Sequence, residues 1–365
     1  MELPTKLDGA VSIYIFKVKT NAVERLILLI GDRHSLPKYT CEEKAGKLDD
    51  FLEQTFKNSK NCIDFFIEAQ FLEKKGIPFF PSTPGLMSDL IRKYHRCLKH
   101  MKGSCEEIGN VRMHYTDLRV VNIKGIDKEH ISYFLFPMVF TEIRRVLKDP
   151  FDKVALNKLI NALDEDRIIE NLRYILGYGD KPKDFGKYPM VFRKIMNIQR
   201  ERTSKQLQSL PIALRKKIKT HIDEIMLDDV IKPYEEMKTC TAEESVEICN
   251  IIVWDFMFLC NRTLVDIYLL ARLLKPTLSD SNIAIVYMGG IHCETYAKFF
   301  KKEKFSELIW EKALKRKEMD KCITIPQKVI DKVLEITKAF PSNKCFTTTS
   351  VKEIQNKYGK HRKVC

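Results

Sequence analysis

The sequence predicts an α/β fold in which a mostly parallel sheet is flanked by helices, with a helical insertion before the last strand. Three observations lead to this class. Runs such as Arg25–Ile30 are apolar at nearly every position, which is typical of strands covered on both faces. Segments with helical periodicity separate these runs. The chain of 365 residues is long enough to bury a sizeable core without disulfides or metals.

Five strands are predicted from apolar runs that end at turn or charged residues. They are Ser12–Val18, Arg25–Ile30, Cys62–Ile67, Val111–Tyr115 and Ile283–Met288. Helical periodicity predicts helices over Asp49–Phe56 and Ser88–Lys102, and helical segments from the last strand to about Phe340.

The middle of the chain is predicted to be helical, because it has few strand signals and is divided by prolines. Its most apolar segment, Ile248–Leu274, carries Arg262 and Asp266 four residues apart, at the spacing of a helical ion pair. The predicted organisation is the first part of the α/β domain (1–138), a helical insertion (139–276), the last strand with its helices (277–340) and a basic, flexible tail (341–365).

Composition indicates a globular protein of the cytoplasm. Apolar residues make up 44% and charged residues 31%, which excludes collagen-like and disordered chains. The eleven cysteines form no CxxC pair, so we expect reduced thiols. Residues 1–10 carry Glu2 and Asp8 and have no apolar core, and no segment suits a bilayer, so we expect neither secretion nor a transmembrane span.

The net charge of +14 is concentrated near the C-terminus, where residues 298–365 carry 18 Lys and Arg against 8 Asp and Glu. Such a region is a candidate for contact with nucleic acid or an acidic membrane surface. The alternative is a solvated helix face with a loose terminus, because acidic residues are interspersed and no aromatic stacking pattern accompanies the lysines.

Polar residues lie at or after the carboxyl ends of four of the predicted strands. They are His34, Glu68, the group His114, Asp117 and Arg119, and His292. Ligands of open α/β sheets bind outside the carboxyl ends of the strands, so the sequence predicts one site at this rim. Walker A, GxGxxG, GxSxG and kinase motifs are absent, which disfavours nucleotide-driven chemistry and serine hydrolysis.

Two strands end in the same form, Gly31-x-x-His34 and Gly289-x-x-His292. Glycine permits a tight turn beside a ligand, and a neutral imidazole suits a transition metal or a general base. The alternative is that both histidines are ordinary capping or loop residues. Asp32 could serve the same site, or accept backbone N–H groups in the turn.

The carboxylates leave similar alternatives open. Glu68 follows an apolar run and could be a metal ligand, an acid–base group or a partner that orients a histidine, or an exposed strand-end carboxylate. Asp117 and Arg119 share a face of an extended segment. An arginine held by a carboxylate could stabilise an anionic substrate or an oxyanion, or the two could form a structural ion pair.

The order strand–GDRH, strand–FIEA, strand–HYTDLR, helix VDIYLLARLL, strand–GGIH resembles uncharacterised proteins of large nucleocytoplasmic DNA viruses. More distantly, it is similar to the superfamily of erythromycin-esterase-like, ChaN-like and TraB/TIKI-like proteins. The resemblance spans residues 25–300 as a scaffold. It differs from the common GExH form by carrying Asp32.

The resemblance implies a His/Glu site at the rim of an α/β sheet. In TIKI-like proteins two Gly-x-x-His motifs and a glutamate serve a metal-dependent peptidase, which would assign His34, Glu68 and His292 to a divalent metal: Mn, Fe, Co or Zn. In esterase-like proteins a histidine activates water with a nearby glutamate and arginine, which would assign His34, Glu68 and Arg119. ChaN-like members bind haem instead.

These observations together predict a hydrolase of an ester or peptide bond, either metal-dependent or metal-free. One alternative is a non-catalytic viral or host-interaction protein on a degenerate hydrolase scaffold, binding acidic partners through its basic C-terminal region. A further alternative is a haem or metal binder. If the chain is viral, the host cytoplasm or the virion is its expected location, and the substrate and oligomeric state stay open.

Overall fold

A computed structural model describes large parts of both ends of the chain and parts of its middle. The described residues are 2–21, 23–32, 41, 45–72, 77–78, 85–100, 110–117, 165–183, 185–188, 190–226, 231–232, 235, 262–275, 281–315, 318, 322–342 and 345. The chain forms two compact units, the first made of Met1–Asp117 and Pro276–Cys365 and the second of Leu118–Lys275. Within the described ranges, no helix has the length and apolar character needed to cross a membrane.

The elements are numbered in chain order. The strands are β1 (Lys6–Asp8), β2 (Ser12–Lys19), β3 (Glu24–Asp32), β4 (Gly46–Lys47), β5 (Ile63–Leu72), β6 (Ile77–Pro78), β7 (Val111–Asp117), β8 (Ile283–Gly289), β9 (Ser306–Ala313) and β10 (Ile323–Thr324). The helices are α1 (Leu48–Asn58), α2 (Leu86–His100), α3 (Glu165–Ile175), α4 (Met190–Gln208), α5 (Ile212–Ile225), α6 (262–274), α7 (Gly290–Lys302) and α8 (Gln327–Ala339).

The main sheet of the first unit has the order β7–β5–β8–β3–β2–β9, and the short β6 pairs with the far end of β5. The strands β7, β5, β8 and β3 run parallel, with Ile63 of β5 level with both Val111 of β7 and Ile283 of β8. β2 and β9 are antiparallel additions beyond β3. The predicted α/β class is confirmed, with parallel pairing concentrated in these four strands.

The parallel strands form because their side chains are buried on both faces. Leu26 to Ile30 of β3 and all seven residues of β8 are buried. One face packs against α1, α2 and α8, through Phe56, Tyr94 and Val333 among others. The opposite face packs against α7, where the rings of Phe16 and Phe300 lie 5.4 Å apart. The sheet is therefore sandwiched between helices.

The connections leave the sheet on different faces. α1 follows β3, and α2 follows β5, on one face of the sheet, whereas α7 follows β8 on the other. β8 lies between β5 and β3, so the helix that follows it packs on the opposite face from the helices that follow both neighbours. In open α/β sheets, the carboxyl ends of strands at such a change of face are the position at which ligands bind.

Two expectations about the later strands are wrong. Residues 306–313, expected to be helical, form the edge strand β9, and β8 is therefore not the last strand of the sheet. β9 was not predicted because it is half-exposed or exposed at every position and so does not form an apolar run. The small sheet of β1, β4 and β10 also lacks a sequence signal, since each of its strands has only two or three residues.

The structure also differs from the expectation of reduced cysteines. Cys41 is bonded to Cys322 and Cys62 to Cys345, and each disulfide joins residues more than 280 positions apart. Spacing along the sequence could not reveal these pairs, because each depends on two distant segments meeting in the fold. Cys293 is buried and belongs to neither disulfide.

The second unit is helical throughout the ranges that the structure describes. α4 packs against α3 at its end, where the Thr203 hydroxyl donates to the Ile175 carbonyl at 2.9 Å. The chain leaves α3 through Gly177, whose positive φ of 85° and closeness to the Ser204 backbone leave no room for a side chain.

The predicted ion pair of Arg262 and Asp266 is present in α6. The guanidinium Nε lies 3.5 Å from the Asp266 carboxylate, and both side chains are buried. Residues 248–261, the first part of the predicted Ile248–Leu274 helix, lie outside the described residues.

Candidate functional site

The carboxyl ends of the four parallel strands place three predicted site residues along one rim. Asp117 ends β7, Glu68 lies near the end of β5, and Asp32 ends β3 beside Gly289, the last residue of β8. Asp117 is buried and Asp32 is half-buried. The order of these three residues along the rim follows from the order of their strands in the sheet. This edge therefore carries polar side chains from strands that are far apart in sequence.

Glu68 lies within β5 and not beyond it, at a local irregularity of the strand. The pairing of β5 with β7 shifts register between Ile67 and Gln70, so β5 carries one extra residue there. Such a bulge bends the strand and changes the direction of a side chain, and bulges are frequent next to active sites. The signal for Glu68 in the sequence was an apolar run interrupted by a carboxylate.

Glu68 and His292 form a buried acid–base pair at the rim. Glu68 Oε2 accepts the backbone N–H of Gly289 at 2.9 Å, and Oε1 lies 3.5 Å from His292 Nε2. The two side chains are 6% and 2% exposed. His292 lies in the first turn of α7, so the carboxylate is near the positive end of the helix macrodipole, where negative charge is stabilised.

The same contacts give Glu68 a structural role. Its carboxylate satisfies an N–H group at the start of α7 that has no partner within the helix. The pair with His292 uses the second oxygen of the same carboxylate. One residue therefore both holds the helix start in place and sets the position of the imidazole.

Gly31 and Gly290 bring β3 and the start of α7 close together. A Cβ on Gly31 would lie 2.1 Å from Ser12 Oγ and 2.9 Å from the Gly290 Cα. Gly31 lies inside β3, so the expectation that it makes a turn is wrong, and close packing is the reason for glycine. Gly289 is the N-cap of α7 and has a negative φ of −53°, so it does not require glycine's left-handed conformations.

Two predicted site residues lie outside the described residues. His34 follows Asp32 by two positions, and Arg119 follows Asp117 by two positions. Their proposed membership of the site, and the proposed pair of Asp117 with Arg119, stay predictions.

His114 was predicted to lie at the rim and instead belongs to a buried ionic cluster. Its Nε2 lies 2.8 Å from Asp64 Oδ1, and its ring stacks on Phe66 with centroids 4.6 Å apart. The reason is strand alternation, because His114 is level with Phe66 and shares a face of the sheet with Asp64. It therefore contacts the middle of β5 and not its end.

Asp64 is the centre of this cluster and was missed by the sequence analysis. Its carboxylate contacts Arg25 at 3.3 Å and Arg112 at 2.7 Å, and its side chain is 1% exposed. Burial alone would raise the pKa of the carboxyl, but the hydrogen bond from His114 and the charges of His114, Arg112 and Arg25 hold it below its ordinary range. The available signal was an acidic residue in the otherwise apolar run CIDFFI.

The chemistry of Glu68 and His292 suits two ligands of one metal ion. Ligand atoms about 2.0–2.2 Å from a tetrahedral ion lie about 3.4 Å apart, and Glu68 Oε1 and His292 Nε2 are 3.5 Å apart. Among the residues that the structure describes, no three His, Cys, Asp or Glu side chains form a metal-ligating group. The predicted third ligand, His34, is not among those residues.

No protein-family model, curated protein or solved structure matches this chain. The resemblance to viral and hydrolase-like proteins that was drawn from motif order therefore stays a prediction.

Proposed function

We propose that this chain is a hydrolase of ester or amide bonds that acts at the carboxyl ends of β5 and β8. The observation that carries the proposal is the buried pair of Glu68 and His292, whose facing atoms are 3.5 Å apart at the start of α7. A histidine beside a fixed carboxylate is the arrangement that general-base activation of water requires.

In this proposal His292 takes a proton from the attacking water. The Glu68 carboxylate stabilises the imidazolium that forms, because its Oε1 faces His292 Nε2. The Gly289 N–H fixes the other oxygen of the carboxylate, so Glu68 does not need to reorganise during the reaction.

In the metal-assisted form of the proposal, Glu68, His292 and His34 would instead hold a divalent metal that supplies an activated water at neutral pH, and His292 would then be a ligand in place of the general base. We assign to Arg119 the stabilisation of negative charge on the substrate, because it follows the end of β7 by two residues in the sequence. Asp32, at the end of β3 beside Gly289, is a further polar group for orienting the substrate.

The test compares single substitutions in the full chain. We expect His292→Ala to lower kcat/KM on a panel of chromogenic esters and peptide amides by about 100-fold or more, the range of general-base catalysis. Glu68→Gln keeps an oxygen for the Gly289 N–H and removes the charge, so we expect a similar loss with the fold retained. His34→Ala is the third variant, and metal content is measured for each protein by mass spectrometry.

His221→Ala is the matched control, because His221 is also buried but lies in the second unit. We expect this control to keep wild-type activity and metal content. The proposal is rejected if the wild type hydrolyses nothing in the panel, or if the His292, Glu68 and His34 variants match it in both activity and metal content.

A further inference from the structure

The second unit contains a strongly basic region, separate from the basic C-terminal region. Residues 181–219 carry 12 Lys and Arg against two acidic residues, Asp184 and Glu201. The region covers α4, α5 and the turns before them. Five of its cations, together with Lys275 after α6, define what we call the basic helical surface: Lys194, Lys205, Arg215, Lys216, Lys219 and Lys275, all exposed or half-exposed.

Several of these cations lie close to one another. Lys275 Nζ is 3.5 Å from the side-chain oxygen of Gln206, which places it beside Lys205 at the end of α4. Burial lowers the pKa of Lys275, and the charges of Arg272 and Lys205 lower it further. Burial and then the charge of Arg215 lower the pKa of Lys219 in the same way. Crowding of like charges costs free energy in the absence of an anion.

The charges of α5 are also arranged against its macrodipole. Arg215, Lys216 and Lys217 lie in the first half of this 14-residue helix, and Asp223 and Glu224 lie in its last turn. Helix stability favours the reverse order, with acidic residues first and basic residues last. The helix macrodipole therefore does not account for the position of these cations.

The basic C-terminal region differs because some of its cations form ion pairs with acidic residues of the fold. Between residues 298 and 332, three of its lysines pair with acidic residues of the fold: Lys298 with Glu294, Lys301 with Glu311 and Lys332 with Glu307. Residues 181–219, by contrast, contain twelve cations and two acidic residues, a net charge of +10. The excess of positive charge is therefore larger in residues 181–219 than in the described part of the C-terminal region.

We infer that the basic helical surface binds nucleic acid through its phosphodiester backbone. α4 has 19 residues and so spans about 28 Å, close to one turn of a duplex. Six phosphate contacts would give an affinity that falls steeply with salt, because each contact releases condensed counterions. The inference concerns the second unit alone and is independent of the proposed hydrolysis.

The described aromatic residues next to these cations favour backbone binding over base stacking. Tyr174 and Phe185 are buried, with Arg200 and Lys181 over their rings, and Lys219 lies over the ring of the half-buried Tyr178, so these rings are already covered by cations. We therefore expect little dependence on nucleotide sequence.

A membrane surface fits this region less well. Among the described residues, its exposed large apolar side chains are Met190, the first residue of α4, and Ile212, the first residue of α5, so they lie near opposite ends of α4, which is about 28 Å long. Interfacial helices instead carry a continuous apolar face that enters the bilayer.

The experiment measures fluorescence anisotropy of a labelled 20-base-pair DNA duplex of arbitrary sequence with the full chain, between 50 and 200 mM KCl. We expect log Kobs to fall with log salt at a slope of about −5 for six contacts. The triple variant Lys194→Gln, Lys205→Gln, Lys216→Gln should reduce the slope by about 3 and weaken binding at least about 30-fold at 100 mM.

The matched control is Lys302→Gln, Lys304→Gln, Lys338→Gln, which removes the same charge from exposed lysines of the C-terminal region. Wild-type binding by this control supports the inference. An equal loss in both triple variants overturns it, and so does the absence of duplex binding at 50 mM salt. Salt-sensitive binding to phosphatidylserine vesicles without duplex binding would also overturn it, in favour of a membrane surface.

Discussion

Asp64 is the one charged residue in the otherwise apolar run CIDFFI at the start of β5. A buried carboxylate is costly unless it is paired and hydrogen-bonded. Here Arg25 from β3, and Arg112 and His114 from β7, surround it, and Arg25 also donates to the Ser281 carbonyl at 2.8 Å. The cluster links the amino-terminal halves of the parallel strands, away from the candidate site at their carboxyl ends.

We expect Asp64→Asn to lower the free energy of unfolding by about 3–5 kcal/mol at pH 7, because two arginines would be left buried without their anion. The folded pKa of Asp64 is lowered, so its contribution is present above the unfolded pKa of about 3.9 and is lost as pH falls below that value. The difference between wild type and variant should therefore shrink below about pH 4. Urea unfolding at pH 7, 5, 4 and 3 measures it.

Asp89→Asn is the control for this prediction, because Asp89 is exposed and its pair with Arg92 lies on the surface of α2. It should change stability by less than about 1 kcal/mol at any of these pH values. A difference between wild type and Asp64→Asn that stayed constant down to pH 3 would contradict the linkage.

At the scale of elements, the start of α7 is set by its approach to β3. The absence of a side chain at Gly31 allows Ser12 of β2 and the backbone of Gly290 to pack against the strand. This approach places the first turn of α7, with His292, beside Glu68 on β5. The geometry of the candidate site therefore depends on the absence of a side chain at Gly31.

We expect Gly31→Ala to destabilise the protein by about 1–3 kcal/mol, because its methyl group would overlap Ser12 Oγ and the Gly290 Cα. Combining it with Ser12→Ala should recover part of the loss, since the contact with the Gly290 backbone remains. Gly186→Ala is the matched control, because a Cβ there meets nothing within 4 Å. Equal unfolding midpoints for Gly31→Ala and Gly186→Ala would refute the close-packing explanation.

Elements differed in how well sequence predicted them, and burial explains the difference. The central strands β3, β5 and β8 coincide with apolar runs because both of their faces are covered. β9 lies at the sheet edge with mostly exposed side chains, so its sequence lacks such a run. His114 was misplaced because a strand's length, and hence which residue reaches its end, is less well encoded than its existence.

At the scale of the whole molecule, two disulfides join the beginning of the chain to its end. Cys62–Cys345 is accompanied by hydrogen bonds from the Asn61 side chain to the carbonyls of Phe340 and Pro341. The Cys345 N–H also donates to the Asn110 side-chain oxygen at 2.6 Å. The chain following α8 is thus held beside the amino-terminal ends of β5 and β7.

Reduction should lower stability, because each disulfide restricts an unfolded loop of more than 280 residues. We expect Cys345→Ser to cost about 2–5 kcal/mol in urea unfolding without reductant. Dithiothreitol should then destabilise the wild type by more than it destabilises this variant. Thiol titration in denaturant should find at least four more thiols after reduction, and an equal count would contradict the assignment.

The sequence by itself determined the α/β class, the central strands and the presence of Glu68 and His292 near strand ends, because local apolar periodicity records burial. Only the tertiary structure decided which residues meet: Glu68 with His292, Asp64 with Arg25 and Arg112, and each cysteine with its partner. These contacts depend on strand order and register, which arise from packing between distant segments. A local sequence pattern indicates whether a residue is buried, but it does not indicate which residues surround it.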